Sequence, residues 1–107
     1  MHGQLITATA THATAAVASV AGATGLKYYI TDIAASSDKA GAIILVKQGT
    51  TTLFQLQIAT TAAGITAFSH SFSQPLEAAV GALVSCEVDG TSACKANIVG
   101  FSLPVTG

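Results

Sequence analysis

The nine residues 51–59, TTLFQLQIA, decide the fold class because apolar and polar side chains alternate along them. A period of two sends the side chains to two opposite faces: Leu53, Gln55, Gln57 and Ala59 on one, and Thr52, Phe54, Leu56 and Ile58 on the other. An apolar face opposite a mixed face is typical of a strand whose sheet covers a core on one side. The stretch therefore predicts an antiparallel sheet.

Further strand-like segments occur on both sides of this stretch, at residues 27–33, 42–47, 65–72, 83–89 and 94–103. The turn at residues 47–51 is short enough to join two of them as a hairpin. Pro75 predicts a strand break at residues 73–76, and residues 77–82 could form one helical turn. Six or more short strands with regular turn signals predict an all-β sandwich or barrel.

The first 24 residues differ, because Thr alternates with mostly small apolar residues over 5–14 and small residues predominate from there on. Period two favours a strand over 5–14, with a helix as the alternative reading. We predict an N-terminal arm (residues 1–24) beside a sandwich domain (residues 25–107). A strand with so little apolar mass often lies along a sheet edge or reaches onto a neighbouring subunit. The candidate intersubunit residues are Leu5, Ile6, Thr7, Thr9 and Thr11.

Cys86 and Cys94 flank a turn-like sequence around Gly90. A hairpin centred on Gly90 would place the two cysteines opposite each other, on the face that carries Val84 and Ile98. Two interpretations follow: a pair of reduced core cysteines, or a cross-strand disulfide in an oxidising setting. A zinc site is excluded because it needs more Cys or His ligands nearby.

No catalytic constellation is recognisable in the sequence. His70 lies between Ser69 and Ser71, but neighbours on a strand point to opposite faces, so the run does not pair a nucleophile with a base. A strand histidine flanked by Phe68 and Phe72 is the simpler interpretation. The five carboxylates are scattered, and no calcium loop or phosphate loop is present. We expect no catalytic, cofactor-binding or metal-binding residue, and no enzyme activity.

Only nine of the 107 residues carry a formal charge, and the net charge is −1. Without clustered Lys and Arg the chain has no electrostatic footprint for nucleic acid. No segment resembles a membrane span or an export signal. Faces that carry few charges cost little to desolvate, and soluble monomers of this size usually carry more of them. The composition therefore favours a component of a protein assembly.

Four motifs carry a family resemblance: GLKYYITDIAASS at residues 25–37, SQPL at 73–76, GALV at 81–84 and ANIVGF at 96–101. They are similar to small β-sandwich structural proteins of tailed bacteriophages, most like head decoration or cement proteins. The resemblance covers residues 25–103 and implies an antiparallel sandwich of jelly-roll type. The Cys pair and the absence of Arg depart from the commoner pattern.

The resemblance implies a virion protein, made in the host cytoplasm and located on the capsid surface. It would bind the assembled shell and stabilise it. Its partners would be the major capsid protein and copies of itself, in a dimer or trimer. The alternative is a carbohydrate-binding module of a tail or surface protein. Its candidate residues are Tyr28 or Tyr29, together with Gln55 and Gln57. A small hydrolase acting through His70 is a third, weaker hypothesis.

Overall fold

β-Strands make up most of the computed structural model, which describes residues 4–57 and 66–105. Ile58, Ala59 and Ile65, which fall in strands predicted from the sequence, lie outside the described residues. The eight strands are β1 (Gln4–His12), β2 (Ala15–Val20), β3 (Leu26–Ser37), β4 (Ile43–Gln48), β5 (Thr51–Gln57), β6 (Thr66–Glu77), β7 (Val84–Asp89) and β8 (Cys94–Pro104). No helix occurs in these residues. The predicted all-β class is confirmed.

Two antiparallel four-stranded sheets pack face to face, so the predicted sandwich is also confirmed. Sheet A has the order β1-β8-β3-β6, and sheet B has the order β2-β7-β4-β5. The strand pairs β1–β8, β2–β7, β3–β6 and β4–β5 all occur in this arrangement. Each strand of the first half of the chain therefore pairs with its counterpart in the second half.

The core lies between the sheets, where inward-facing side chains alternate with outward ones along each strand. Ile30 and Ile98 of sheet A and Ile44 of sheet B are fully buried. Each buried aliphatic side chain of this size stabilises the fold by roughly 1.5–3 kcal/mol relative to exposure. The tight hairpin predicted between residues 47 and 51 is confirmed, because Gln48 pairs directly with Thr51.

The hairpin predicted around Gly90 is wrong. Although β7 and β8 are consecutive, β7 lies in sheet B and β8 lies in sheet A. The turn at Gly90 carries the chain from one sheet to the other instead of reversing it within one sheet. Cross-strand registers of Cys86 and Cys94 therefore involve other strands: Cys86 pairs with Ala18 and Val46, and Cys94 with His12 and Ser37.

A bulge at Thr31 bends the middle of sheet A. The register of β3 shifts between Ile30 and Asp32 against both β6 and β8. The Thr31 hydroxyl donates a hydrogen bond to the Val99 carbonyl at 3.2 Å. Gly100 lies opposite Ile30, and a Cβ added there would come within 2.1 Å of the Tyr29 carbonyl oxygen. Only glycine lets the backbones approach this closely.

The break predicted at residues 73–76 is corrected, because β6 continues through Pro75 to Glu77. Its pairing with β3 is nevertheless interrupted, since Leu76 pairs with Ile30 whereas the next pair is Ser71 with Asp32. Pro75 is tolerated because β6 is an edge strand, where a missing N–H disrupts no inner ladder. Residues 79–82 form a turn closed by the Ala82 N–H on the Ala79 carbonyl, not a helical turn.

The segment predicted as a separate arm is built into the sandwich. β1 is an edge strand of sheet A, and β2 is an edge strand of sheet B. Ile6, Ala16 and Ala18 are buried in the common core. Small side chains suffice there because neighbouring strands supply the larger ones, so the boundary at residue 24 does not separate two packing units.

Candidate functional site

Ion pairs within the chain account for six of the nine charged side chains. The three pairs are Lys27–Glu77 at 2.6 Å, Lys39–Asp89 at 2.6 Å and Lys47–Glu87 at 2.7 Å. The hydrogen bond to Glu77 raises the pKa of Lys27. Exposed pairs of this kind contribute little to stability. Their consequence for recognition is larger, because they leave the surface nearly without free charge.

Two further carboxylates are held by hydrogen bonds. Bonds from Ser71 and Thr31 hold the pKa of Asp32 below its ordinary value. Bonds from Ser92 and from neighbouring backbone N–H groups lower the pKa of Asp38 strongly. Lys95 is the one charged side chain with neither an ion pair nor a hydrogen-bond partner within the described residues.

The outer face of sheet A carries an apolar cluster, on a surface that has few unpaired charges. We call it the sheet A patch, and its members are Leu5, Tyr29, Val99, Phe101 and Leu103. Leu5 pairs with Phe101, and Phe101 with Tyr29, so three strands contribute to one row. Leu5 is 69% exposed. The rings of Tyr29 and Phe101 stack, with centroids 5.0 Å apart and planes at 12°.

A shallow depression adjoins the sheet A patch. It has a volume of about 460 Å³ and is lined by Tyr29, Ser73, Gln74, Pro75, Glu77 and Phe101. Its far wall is the bulged part of β6, and the Lys27 ammonium lies 5.6 Å from the centroid of the Tyr29 ring. The site thus combines an aromatic side with a rim of hydrogen-bonding groups.

The outer face of sheet B carries a second apolar area. Val17 and Ile43 are exposed there, and a depression of about 240 Å³ lies beside Ile43 and Leu45. It contains no aromatic side chain among its lining residues. The sheet A patch differs from it by its stacked aromatic pair, and aromatic side chains are enriched among the residues that dominate interface energetics.

The predicted carbohydrate set does not converge in space. Tyr28 is buried, and its hydroxyl donates to the Ala21 carbonyl at 2.7 Å. Tyr29 points outward from sheet A. Gln55 and Gln57 pair with Leu45 and Ile43 on the outer face of sheet B, the opposite side of the sandwich.

His70 lies among aromatic rings instead of beside a nucleophile. Its ring centroid is 5.4 Å from that of Phe54, 6.2 Å from that of Phe68 and 4.7 Å from that of Phe72. This arrangement agrees with the predicted strand histidine flanked by Phe68 and Phe72. Residues 4–57 and 66–105 contain no cluster of three metal-ligating side chains.

Cys86 and Cys94 are both buried and free, on opposite sheets of the core. Burial raises the pKa of the Cys86 thiol to about 11. The Cys94 thiol donates to the His12 carbonyl, with 3.3 Å between the sulfur and the oxygen. The two cysteines occupy core positions, as the first of the two sequence interpretations describes.

The structure divides the candidate intersubunit residues between two faces of β1. Ile6 points into the core, whereas Leu5, Thr7, Thr9 and Thr11 are exposed on the outer face. An intersubunit role for β1 stays a prediction. Sequence reasoning missed the sheet A patch, because its members come together only through the β1-β8-β3 strand order.

No family model matches the chain, and no curated protein is significantly similar to it. The resemblance to phage sandwich proteins thus rests on the motifs quoted above. The part of the chain that the structure describes has no helix long and apolar enough to cross a membrane.

Proposed function

We propose that this protein is a structural subunit of a bacteriophage virion, a capsid decoration protein that binds the assembled shell and stabilises it. The observation that carries the proposal is the sheet A patch, in which the exposed Leu5 adjoins the half-buried rings of Tyr29 and Phe101, on a chain whose charges are largely paired internally. Such a surface associates with other protein at low desolvation cost.

The strand order supports jelly-roll wiring, which the phage resemblance implies. In a jelly roll, an antiparallel ribbon of eight strands wraps into two sheets. Strand pairs β1–β8, β2–β7, β3–β6 and β4–β5 are those of such a ribbon. The wiring brings β1, β8 and β3 side by side and so assembles the sheet A patch.

The mechanism of stabilisation would be mass action. A subunit that binds only the assembled shell lowers the free energy of that state, and not of the free capsid proteins. Many copies, each with a modest contact area, would add their contributions over the shell. The proposal requires no catalytic group.

Co-sedimentation with shells assembled from the major capsid protein of the same genome tests this function. Replacing two ring side chains, in Tyr29→Ser/Phe101→Ser, should weaken binding at least about tenfold. The matched control is Val17→Ser/Ile43→Ser, which removes exposed apolar side chains from sheet B and should leave binding unchanged. Thermal unfolding of each variant establishes that it is folded. Wild-type protein that does not bind, or equal losses in both variants, would contradict the proposal.

The depression beside Tyr29 supports a second candidate function, carbohydrate binding. An aromatic side with a polar rim suits a hydroxylated ring. Gln74→Ala distinguishes the two functions, because Gln74 lines the depression but does not belong to the sheet A patch. On a glycan array the substitution should abolish binding if the ligand is a sugar, whereas binding to shells should be unaffected.

A further inference from the structure

The strand β1 leaves one edge of sheet A open. It pairs with β8 along its whole length, from Gln4 opposite Ser102 to His12 opposite Cys94. No other strand among residues 4–57 and 66–105 pairs with β1. Its second side is therefore a row of backbone N–H and C=O groups available to another strand.

Edge strands in monomers usually carry features that prevent such pairing, including bulges, Pro and inward or outward charges. The opposite edge of sheet A has them, because β6 contains Pro75 and an interrupted register. The edge strand β5 also has a register shift, between Val46 and Lys47 of its partner. By contrast, the register of β1 with β8 is unbroken.

The sequence of β1 contains nothing that would repel a second copy. No charged residue occurs before Lys27, so the β1 and β2 edges are both free of charge. The outward side chains of β1 are Leu5, Thr7, Thr9 and Thr11, and all four are exposed. An uncharged nine-residue edge with an unbroken register is well suited to strand addition.

We propose that β1 pairs antiparallel with β1 of a second copy of this chain, joining the two A sheets into one continuous sheet of eight strands. With a two-fold axis at Ala8, all nine residues of one β1 strand pair with the nine residues of the other. The axis places Thr7 of one copy opposite Thr9 of the other, and Leu5 opposite Thr11. Thr–Thr pairs are favourable cross-strand neighbours.

The arrangement has a consequence for binding. Because the sheet is continuous, the two outer faces point the same way, and because the strands are antiparallel, the two sheet A patches lie toward opposite ends. The dimer would thus present two apolar patches on one side and could contact two neighbouring proteins at once. Two linked contacts gain affinity from effective concentration. The pairing itself does not depend on the proposed capsid function.

A charge-pairing experiment on the free protein tests the register. Thr7→Lys/Thr9→Lys places like charges opposite each other across the two-fold axis, whereas Thr7→Glu/Thr9→Lys places opposite charges there. Both variants change the same two exposed positions, so each controls for the loss of Thr in the folded monomer. The measurement is molar mass by light scattering over a dilution series at low ionic strength, where charge effects are strongest.

We expect the wild type and the Glu/Lys variant to be dimers, and the Lys/Lys variant to dissociate at a concentration at least about tenfold higher. Circular dichroism confirms that each protein is folded. A monomeric or trimeric wild type, a Lys/Lys variant that dimerises like the wild type, or a monomeric Glu/Lys variant would each overturn the pairing. Because no shell is present, these outcomes leave the capsid function to its own test.

Discussion

The Asp38 carboxylate holds the turn at Ser92, joining the β3–β4 loop to the connection between the two sheets. Its oxygens accept hydrogen bonds from the backbone N–H of Ser92 at 3.0 Å and from that of Thr91 at 2.8 Å. The Asp38 N–H in turn donates to the Ala93 carbonyl at 3.1 Å. The turn that carries the chain from β7 to β8 is thus fixed by a residue of another loop.

This network predicts how stability depends on pH. The hydrogen bonds favour the ionised form, so the pKa of Asp38 is lower in the folded than in the unfolded chain. Its contribution is fully present above the unfolded pKa of about 4 and is lost as the pH falls through the lower folded value. Asp38→Ala should therefore lower the unfolding midpoint at neutral pH.

The difference between wild type and Asp38→Ala should be constant from about pH 5 to 7 and should shrink below about pH 4. Denaturant unfolding at several pH values measures it. Lys95→Ala, which removes a charge without an ion pair in the described residues, is the control and should change stability little. A difference that does not change down to about pH 2 would contradict the assigned role of the carboxylate.

The close approach of β3 and β8 predicts a large effect of a single methyl group. In Gly100→Ala the new Cβ would lie within 2.1 Å of the Tyr29 carbonyl oxygen and 3.1 Å of the Ile30 Cα. Both contacts are with the backbone of a central strand, which cannot move aside cheaply. We expect a loss of about 3 kcal/mol in the free energy of unfolding, at the upper end of the usual cost of overpacking.

Asn97→Ala provides the comparison for Gly100→Ala, because Asn97 points outward from the same strand. Its effect should stay within about 1 kcal/mol in urea unfolding. A Gly100→Ala protein as stable as wild type would mean that the bulge at Thr31 can relax, and the account of the bent sheet would be wrong.

The buried thiols predict a clear result in chemical labelling. Cys86 is fully buried and its pKa is raised to about 11, so at about pH 8 very little thiolate is present. In a Cys94→Ser variant, a thiol reagent should not label Cys86 in the native protein but should label it completely in guanidinium chloride. Mass spectrometry of the denatured wild type should find two labelled cysteines. Rapid native labelling, or a protein with no free thiol, would contradict the structure.

The sequence predicted the strands well where period two was local, as in residues 51–57. It could not predict which sheet each strand joins. That assignment determines whether Cys86 and Cys94 lie opposite each other in one sheet or on different sheets. The pattern of residues 84–98 fits a hairpin within one sheet as well as it fits two strands in facing sheets, because the same positions face inward in both arrangements. The β1 strand was predicted, with a sheet edge as one of its two predicted places. Its packing into the common core was not predicted, because its small side chains pack well only against neighbours that lie far away in the chain.

The sheet A patch depends even more on strand pairings that the local sequence pattern does not predict. Tyr28 lies in the core and Tyr29 on the outer face of sheet A, because neighbours on a strand point to opposite faces. The stacking of Tyr29 on Phe101 and its row with Leu5 depend on pairings that span most of the chain. No local pattern reports such pairings, so the sheet A patch could not be predicted from the sequence.

The pairing of charges within the chain predicts how binding to shells should respond to salt. Since six of the nine charged side chains are in internal ion pairs, few charges are left to attract a partner. Raising sodium chloride from about 0.05 to 0.5 M should change the affinity less than about threefold, whereas sulfate should strengthen binding because it favours apolar burial. Lys95→Ala should leave both responses unchanged. A steep loss of affinity with sodium chloride would instead assign the contact to charged groups, and the sheet A patch would then not be the surface that binds.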